Sequence, residues 1–298
     1  MSFGRALWAF AVAVCLTAPA AVRAQGDYLD VLTIKVKPEK VADFLALTKR
    51  FAEANRKFNG DRWLALQSVY GEANVYQFTS VRKDYADIDK ANEAEMLAAN
   101  KGLGKEGAQK LEQDFNTCIV WSRSELRRRR WDLSRKAPQD AEAYAKLIGE
   151  SRLLRTTAVH IRPGHILDFE ALMKDSKEAG EKNPDTAPVF VSQVVEGNKG
   201  AIFYVSTLRS SMGGFDHNPT TKEILGEEGF KKFQQISADA VEVAESNLYR
   251  FDPSISNPPE EVAKVAMDFW HPKALIAMAK PKSAMEPDAA KEPTKKPQ

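Results

Sequence analysis

The chain has 298 residues, 43% of them hydrophobic and 28% charged, with a formal net charge of +2. That balance excludes disordered, collagen-like and polytopic membrane proteins, and the length predicts about two domains at the usual ~100–200 residues each. A basic excess of the kind that attracts nucleic acid is missing, so no nucleic-acid partner is expected.

Residues 1–24 read as a signal peptide. Met1–Arg5 is a short basic start, and Ala6–Leu16 is an apolar run of signal-peptide length, too short to span a bilayer. Val22-Arg23-Ala24 places small residues where a signal peptidase cuts, which makes Gln25 the expected new N-terminus. The expectation is an exported protein, periplasmic or extracellular, with no transmembrane segment after cleavage. Loss of Arg5 and Arg23 leaves basic residues equal in number to the 41 acidic ones. Loss of Cys15 leaves Cys118 as the one cysteine, so no intramolecular disulfide can form. Cys118 falls at helical spacing with Leu111, Phe115 and Ile119, as a small core residue would.

The rest of the chain is a duplication. Val31-Leu-Thr-Ile-Lys-Val-Lys-Pro38 matches Thr156-Thr-Ala-Val-His-Ile-Arg-Pro163, and Phe44 matches Phe169. Gly71 then matches Gly197, and Val75–Arg82 matches Ile202–Arg209, at a nearly constant offset. In repeat one, Tyr28–Lys37 alternates as a strand, Pro38 opens a helix, and Val41, Phe44, Leu45, Thr48 and Phe51 recur at helical spacing. Trp63–Tyr70 and Asn74–Arg82 form a hairpin. A helical stretch covers Asp87–Ser122 with a break near Gly102 and Gly104, and Glu125–Asp132 is a last strand. Repeat two supplies Leu154–Arg162, Ile166–Ala179, Val189–Val195, Ala201–Leu208, Glu228–Ala244 and Asn247–Phe251 in the same order.

The fold class is therefore α+β: two tandem ferredoxin-like (β-α-β-β-α-β) repeats. Each unit leaves one sheet face uncovered, so the antiparallel sheets are expected to pack face to face as an intramolecular α/β barrel. The predicted organisation is signal peptide 1–24, repeat one 25–134, linker 135–151, repeat two 152–253, an extension 254–280 packing on the barrel, and a disordered tail 281–298. The linker is expected to hold a short helix capped by Asp140. The extension carries an amphipathic Val262, Ala266 and Phe269.

This order and duplication, over about Tyr28 to Phe251, resemble the dimeric α/β-barrel superfamily in its fused tandem form. That group includes antibiotic-biosynthesis-type monooxygenases, NIPSNAP-like proteins and chlorite dismutase-like haem proteins. The resemblance implies the fold and is weak for function. Its haem-dependent members use an axial histidine, and their motif does not map onto any histidine here. Haem is therefore not favoured, and the resemblance implies no particular cofactor.

Strand alternation sorts the candidate site residues. Thr157, Val159 and Ile161 share one face of a strand; Ala158, His160 and Arg162 share the other, matched by Thr33, Lys35 and Lys37. The mixed face is expected to meet the opposite sheet or line a cavity. Lys35, Gln67, Arg128, His160, Gln193, Tyr204 and Arg250 are the candidate lining of a polar pocket, with His160 as the candidate base or ligand. The competing reading is a filled inter-sheet core whose polar groups satisfy one another. Trp63, Tyr76, Phe78, Phe190, Phe203 and Tyr204 are candidate apolar walls. In Arg127-Arg-Arg-Arg130 two side chains face each way, which reads as an exposed or edge strand with solvated arginines, the alternative being an anion contact by Arg128. Metal-ligand spacings, esterase, P-loop and Rossmann motifs do not occur. The leading expectation is an exported barrel that binds a small molecule between its sheets. The alternatives are an oxidoreductase on the same barrel and a non-catalytic protein with a filled barrel.

Overall fold

A computed structural model describes residues 27–271. The expected signal peptide, residues 272–280 of the extension and the tail 281–298 lie outside the described residues.

Repeat one runs β1 (Tyr28–Val36), α1 (Val41–Lys57), β2 (Leu64–Tyr70), β3 (Val75–Arg82), α2 (Tyr85–Leu103), α3 (Lys105–Cys118) and β4 (Ile119–Arg129). A linker helix, α4 (Ala141–Glu150), follows. Repeat two runs β5 (Leu153–Ile161), α5 (Ile166–Lys182), β6 (Phe190–Glu196), β7 (Ala201–Arg209), α6 (Thr221–Ala240) and β8 (Val241–Phe251). Two short helices, α7 (Glu260–Val265) and α8 (Met267–Trp270), complete the described chain. The strands close into one antiparallel barrel in the order β1-β3-β2-β8-β5-β7-β6-β4.

Closure depends on two seams between the repeats. β2 pairs with β8 (Gln67 opposite Arg250) and β4 pairs with β6 (Arg128 opposite Gln193). Paired on both sides, β4 is not an edge, and the solvated-edge reading of Arg127–Arg130 is corrected accordingly. Each hairpin tip leans on the last strand of the other repeat. Gly71 and Gly197 hold φ of +129° and +93°, and a Cβ on them would lie 2.1 Å from Asn247 Oδ1 and from the Ser124 carbonyl oxygen respectively. Glycine is the residue that fits both the dihedral and the contact.

Each strand splits its side chains between two environments. Outward, Ile34, Val36, Ala65 and Tyr76 pack on Phe44 of α1, and Val159, Ile161, Val191 and Phe203 pack on Phe169 of α5. Phe44 and Phe169 are repeat equivalents, and each meets at 4.9 Å, ring planes tilted, an aromatic of its repeat's third strand, Tyr76 or Phe203. Cys118 joins the first of these cores and is buried. Inward, the two sheets face each other across a lumen.

β4 and β8 begin at Ile119 and Val241, ahead of the predicted Glu125 and Asn247. The helix preceding each strand passes straight into it, at Cys118–Ile119 and Ala240–Val241, with no glycine or proline to mark the change. Ile119 continues the helical spacing of Leu111, Phe115 and Cys118, so periodicity extends the helix too far.

One end of the lumen is covered. Asp140 caps α4 by accepting the Ala143 amide at 2.7 Å. α4 and α7 lie together over that end, with Ala145, Ile148, Val262 and Ala263 in one core with Leu66, Leu208 and Phe251. Trp270 anchors the cover. It is fully buried, meets Phe251 edge-on at 5.6 Å and donates its indole N–H to the Gly149 carbonyl at 3.1 Å. Among the described residues no helix is long and apolar enough to cross a membrane.

Candidate ligand site in the barrel lumen

Beneath α4 and α7 the two sheets enclose a cavity of about 220 Å³. Alternation brings the wall residues together. Val31 and Leu66 come from one sheet, Leu154, Phe190 and Leu208 from the other, and Tyr144 and Ile148 from the cover. Polar groups are few and uncharged over most of the surface. Thr156 and Ser206 face each other across the β5–β7 pairing and share a hydrogen bond of 2.8 Å. Gln77, Thr79 and Ser192 complete the uncharged set, and Arg62, Arg127, Arg129 and Glu261 are the charged residues of the lining. Gln77 and Ser192 are 4% and 6% exposed.

The floor of the cavity is a buried charged layer. Arg127 grips Glu125 through Nε and one terminal nitrogen, at 2.9 and 2.6 Å. The same carboxylate accepts from Asn198 at 2.7 Å and from the Tyr204 hydroxyl at 3.0 Å. The Arg127 guanidinium lies 3.4 Å from the centre of the Tyr204 ring. Burial alone would raise the Glu125 pKa, but Arg127, Asn198 and Tyr204 together hold it below the ordinary carboxylate value. Burial pushes the Tyr204 hydroxyl up to about 12, so it stays protonated and donates. Arg129, the next inward arginine of β4, donates to the Tyr144 hydroxyl at 2.6 Å and lies over the Trp131 and Tyr144 rings.

The mixed face of the first strands does turn inward, as alternation predicts: Val31 and Thr156, equivalents in the two repeats, both line the cavity. The residues singled out for the pocket do not line it. Tyr204 forms part of the floor. Lys35 and His160 occupy inward positions nearer the end opposite α4 and α7, where Lys35 pairs with Glu72 at 3.0 Å and donates to the Ala73 carbonyl. Gln67, Arg128, Gln193 and Arg250 fall on the outer face, against the expectation that they face inward. Gln67 is exposed and donates to the Tyr76 hydroxyl at 3.4 Å, and Gln193 accepts from Arg130 at 2.8 Å. Arg128 and Arg250 are exposed, while their neighbours Arg127, Arg129, Tyr249 and Phe251 are buried. The repeat match paired these residues correctly but carried no information on which face they take. The signal that could have found Gln77, Arg127 and Arg129 was parity with the buried Val75 and with each other. Of the candidate aromatic walls, Trp63 and Phe190 border the cavity, whereas Tyr76, Phe78 and Phe203 belong to the helix-facing cores.

A second charged group lies outside the barrel. Arg82 bridges Asp61 and Asp30, at 2.6 and 3.2 Å, and Ser80 donates to Asp61 at 3.3 Å. Glu95 of α2 sits over this group, and burial together with the nearby Asp61 raises its pKa to about 7, against the pull of Arg82. Arg209, the repeat equivalent of Arg82, instead holds the 212–218 loop through Gly214 O and Asn218. Both arginines are organisers of their own repeat.

Haem does not fit the lumen. A porphyrin is far larger than a cavity of about 220 Å³, and no histidine borders it. His165 pairs with Asp168 on the surface, and His217 is exposed in its loop. Among the described residues no group of His, Cys, Asp and Glu is placed to hold a metal ion.

No protein-family model and no curated protein matches the sequence. Solved structures similar to the chain are proteins of the dimeric α/β-barrel, ferredoxin-like kind. One is a monooxygenase-like protein from Fusobacterium nucleatum, with 10% identity and a TM-score of 0.49, covering 76% of this chain and 93% of that one. Another is an anthrone oxidase-like protein, with 12% identity and a TM-score of 0.49, covering 78% and 94%. A third is chlorite dismutase from Candidatus Nitrospira defluvii, with 10% identity and a TM-score of 0.43, covering 82% and 97%. The likeness is one of fold.

Proposed function

We propose that this is an exported barrel protein that binds one small, largely apolar molecule in its lumen. The observation that carries the reading is the cavity of about 220 Å³ between the sheets, walled by aliphatic and aromatic side chains. A cavity of about 150 Å³ suffices to hold benzene, so the space suits a bicyclic ring system or a short branched chain. The buried groups of the cavity are amide, hydroxyl and engaged guanidinium, which bind and orient a guest, and the one carboxylate at its lining, Glu261, is exposed to solvent.

The test is calorimetric titration with 2-naphthol of the wild type and of two variants that fill the space, Leu208→Trp and Ser206→Leu. Binding to the wild type that is lost in folded variants supports the reading. No binding to the wild type, or equal binding to all three, overturns it.

A further inference from the structure

The cavity contains polar side chains that nothing in the protein satisfies. Gln77 sits mid-strand on β3, opposite Thr33 of β1 and Leu66 of β2, and it is 4% exposed while lining the cavity. Its carboxamide has no hydrogen-bond partner among the described residues, nor have the hydroxyls of Thr79 and Ser192. Thr156 and Ser206 bond to each other, which leaves one of the two protons without an acceptor in that pair. A buried amide left unpaired costs about 1–3 kcal/mol, so these groups need a partner inside the cavity.

Four charged residues line the cavity. Arg127 is neutralised by Glu125 through two hydrogen bonds, Arg129 is held by Tyr144 and stacked on rings, Arg62 donates to Asn257, and Glu261 is exposed to solvent. A charged guest would have to shed its hydration shell without gaining a free countercharge from Arg127. What remains to receive a guest is one amide, which donates and accepts, and a small ring of hydroxyls.

We infer that the lumen selects an uncharged guest with an apolar body and one or two oxygen functions, hydroxyl or carbonyl, seated on the Gln77 carboxamide. The inference rests on the lumen-binding reading above and specifies its ligand class.

Three probes of one shape separate the possibilities: naphthalene, 2-naphthol and 2-naphthoate, titrated at pH 7 into the wild type and into Gln77→Leu. 2-Naphthol should bind the wild type about fivefold to tenfold more tightly than naphthalene, and 2-naphthoate more weakly than 2-naphthol. Gln77→Leu, which replaces the carboxamide with an apolar branched end, should remove the 2-naphthol advantage and leave naphthalene binding intact. Retained naphthalene binding shows that the variant still folds around its cavity. If 2-naphthoate binds tightest, or if Gln77→Leu leaves 2-naphthol unchanged while Leu208→Trp abolishes it, the ligand class is wrong and lumen binding stands. If no probe binds the wild type, both readings fall together.

Discussion

Replacing Glu125 by Gln tests the buried layer beneath the cavity. Glu125 and Arg127 are 3% and 6% exposed, so water cannot screen the charge that the substitution strands. The Arg127 guanidinium would keep its place over the Tyr204 ring but lose both charge-assisted bonds to the carboxylate. Removing one partner of a buried pair costs about 3–5 kcal/mol, because the remaining ion is left unpaired. The Gln side chain can still accept from Asn198 or Tyr204, which places Glu125→Gln toward the lower end, near 3 kcal/mol. Replacing both partners, as Glu125→Leu with Arg127→Met, should cost less than either single change, since no charge is then stranded. Urea denaturation followed by circular dichroism reads all of these as shifts in midpoint at constant slope. A loss below about 1 kcal/mol for Glu125→Gln would mean that Arg127 escapes to solvent, and the account of a sealed floor would be wrong. The pH dependence gives an independent check. The Glu125 pKa is depressed in the folded protein, so its contribution is present above the unfolded value of ~4.3 and is lost as acid titrates through the folded value.

Glu95 should act with the opposite sign. Its pKa of about 7 exceeds the unfolded value of ~4.3, so its favourable contribution is complete in acid and disappears as pH rises through 7. Glu95→Gln should flatten the change in melting temperature between pH 5 and pH 8, and an unaltered pH profile would remove Glu95 from the explanation. Gly197→Ala should destabilise more than Gly71→Ala: the added methyl meets the Ser124 backbone in the first case and the movable Asn247 side chain in the second. Melting curves giving the reverse order would contradict the seam geometry. Mass spectrometry of protein from its native host should find Gln25 at the N-terminus, and soluble protein retaining Met1 would refute export.

The fold was legible because duplication repeats every signal. Pro38 and Pro163 end their strands, Phe44 and Phe169 anchor their helices, and Gly71 and Gly197 turn their hairpins, so an ambiguous element in one repeat is resolved by the other. The strand starts at Ile119 and Val241 escaped for the same reason twice: both helix-to-strand junctions lack a breaking residue. The site was less legible. Facing was read correctly on β1 and β5, where apolar alternation is clear. It was misassigned on β2, β4, β6 and β8; on β4, Arg127 to Arg129 present identical chemistry to both sides and pattern cannot choose between them. The choice is made by neighbours far away in sequence: Glu125, Asn198 and Tyr204 gather Arg127 inward, while Glu170, Asp132 and Gln193 hold Arg130 outside.

The repeats diverge most where the lumen acquires its character. The pairings that align Val31 with Thr156 also align Gln77 with Tyr204, Glu125 with Asn247 and Arg127 with Tyr249. A symmetric ancestor would place identical groups on opposite walls, and two facing carboxylates, or two facing arginines without partners of their own, would repel each other in a space this small. Divergence resolves that conflict by putting the Glu125–Arg127 pair on one strand and the tyrosines opposite, so the charge of Arg127 is met within its own strand. Gln77 is the exception: its repeat equivalent Tyr204 is tied to Glu125, whereas its own carboxamide faces the cavity without a partner. The cover breaks the symmetry a second time, because α4 comes from the linker and α7 from the extension, and neither belongs to a repeat. The cavity is thus enclosed by what the duplication did not copy, and its one unsatisfied amide stands where the two copies differ.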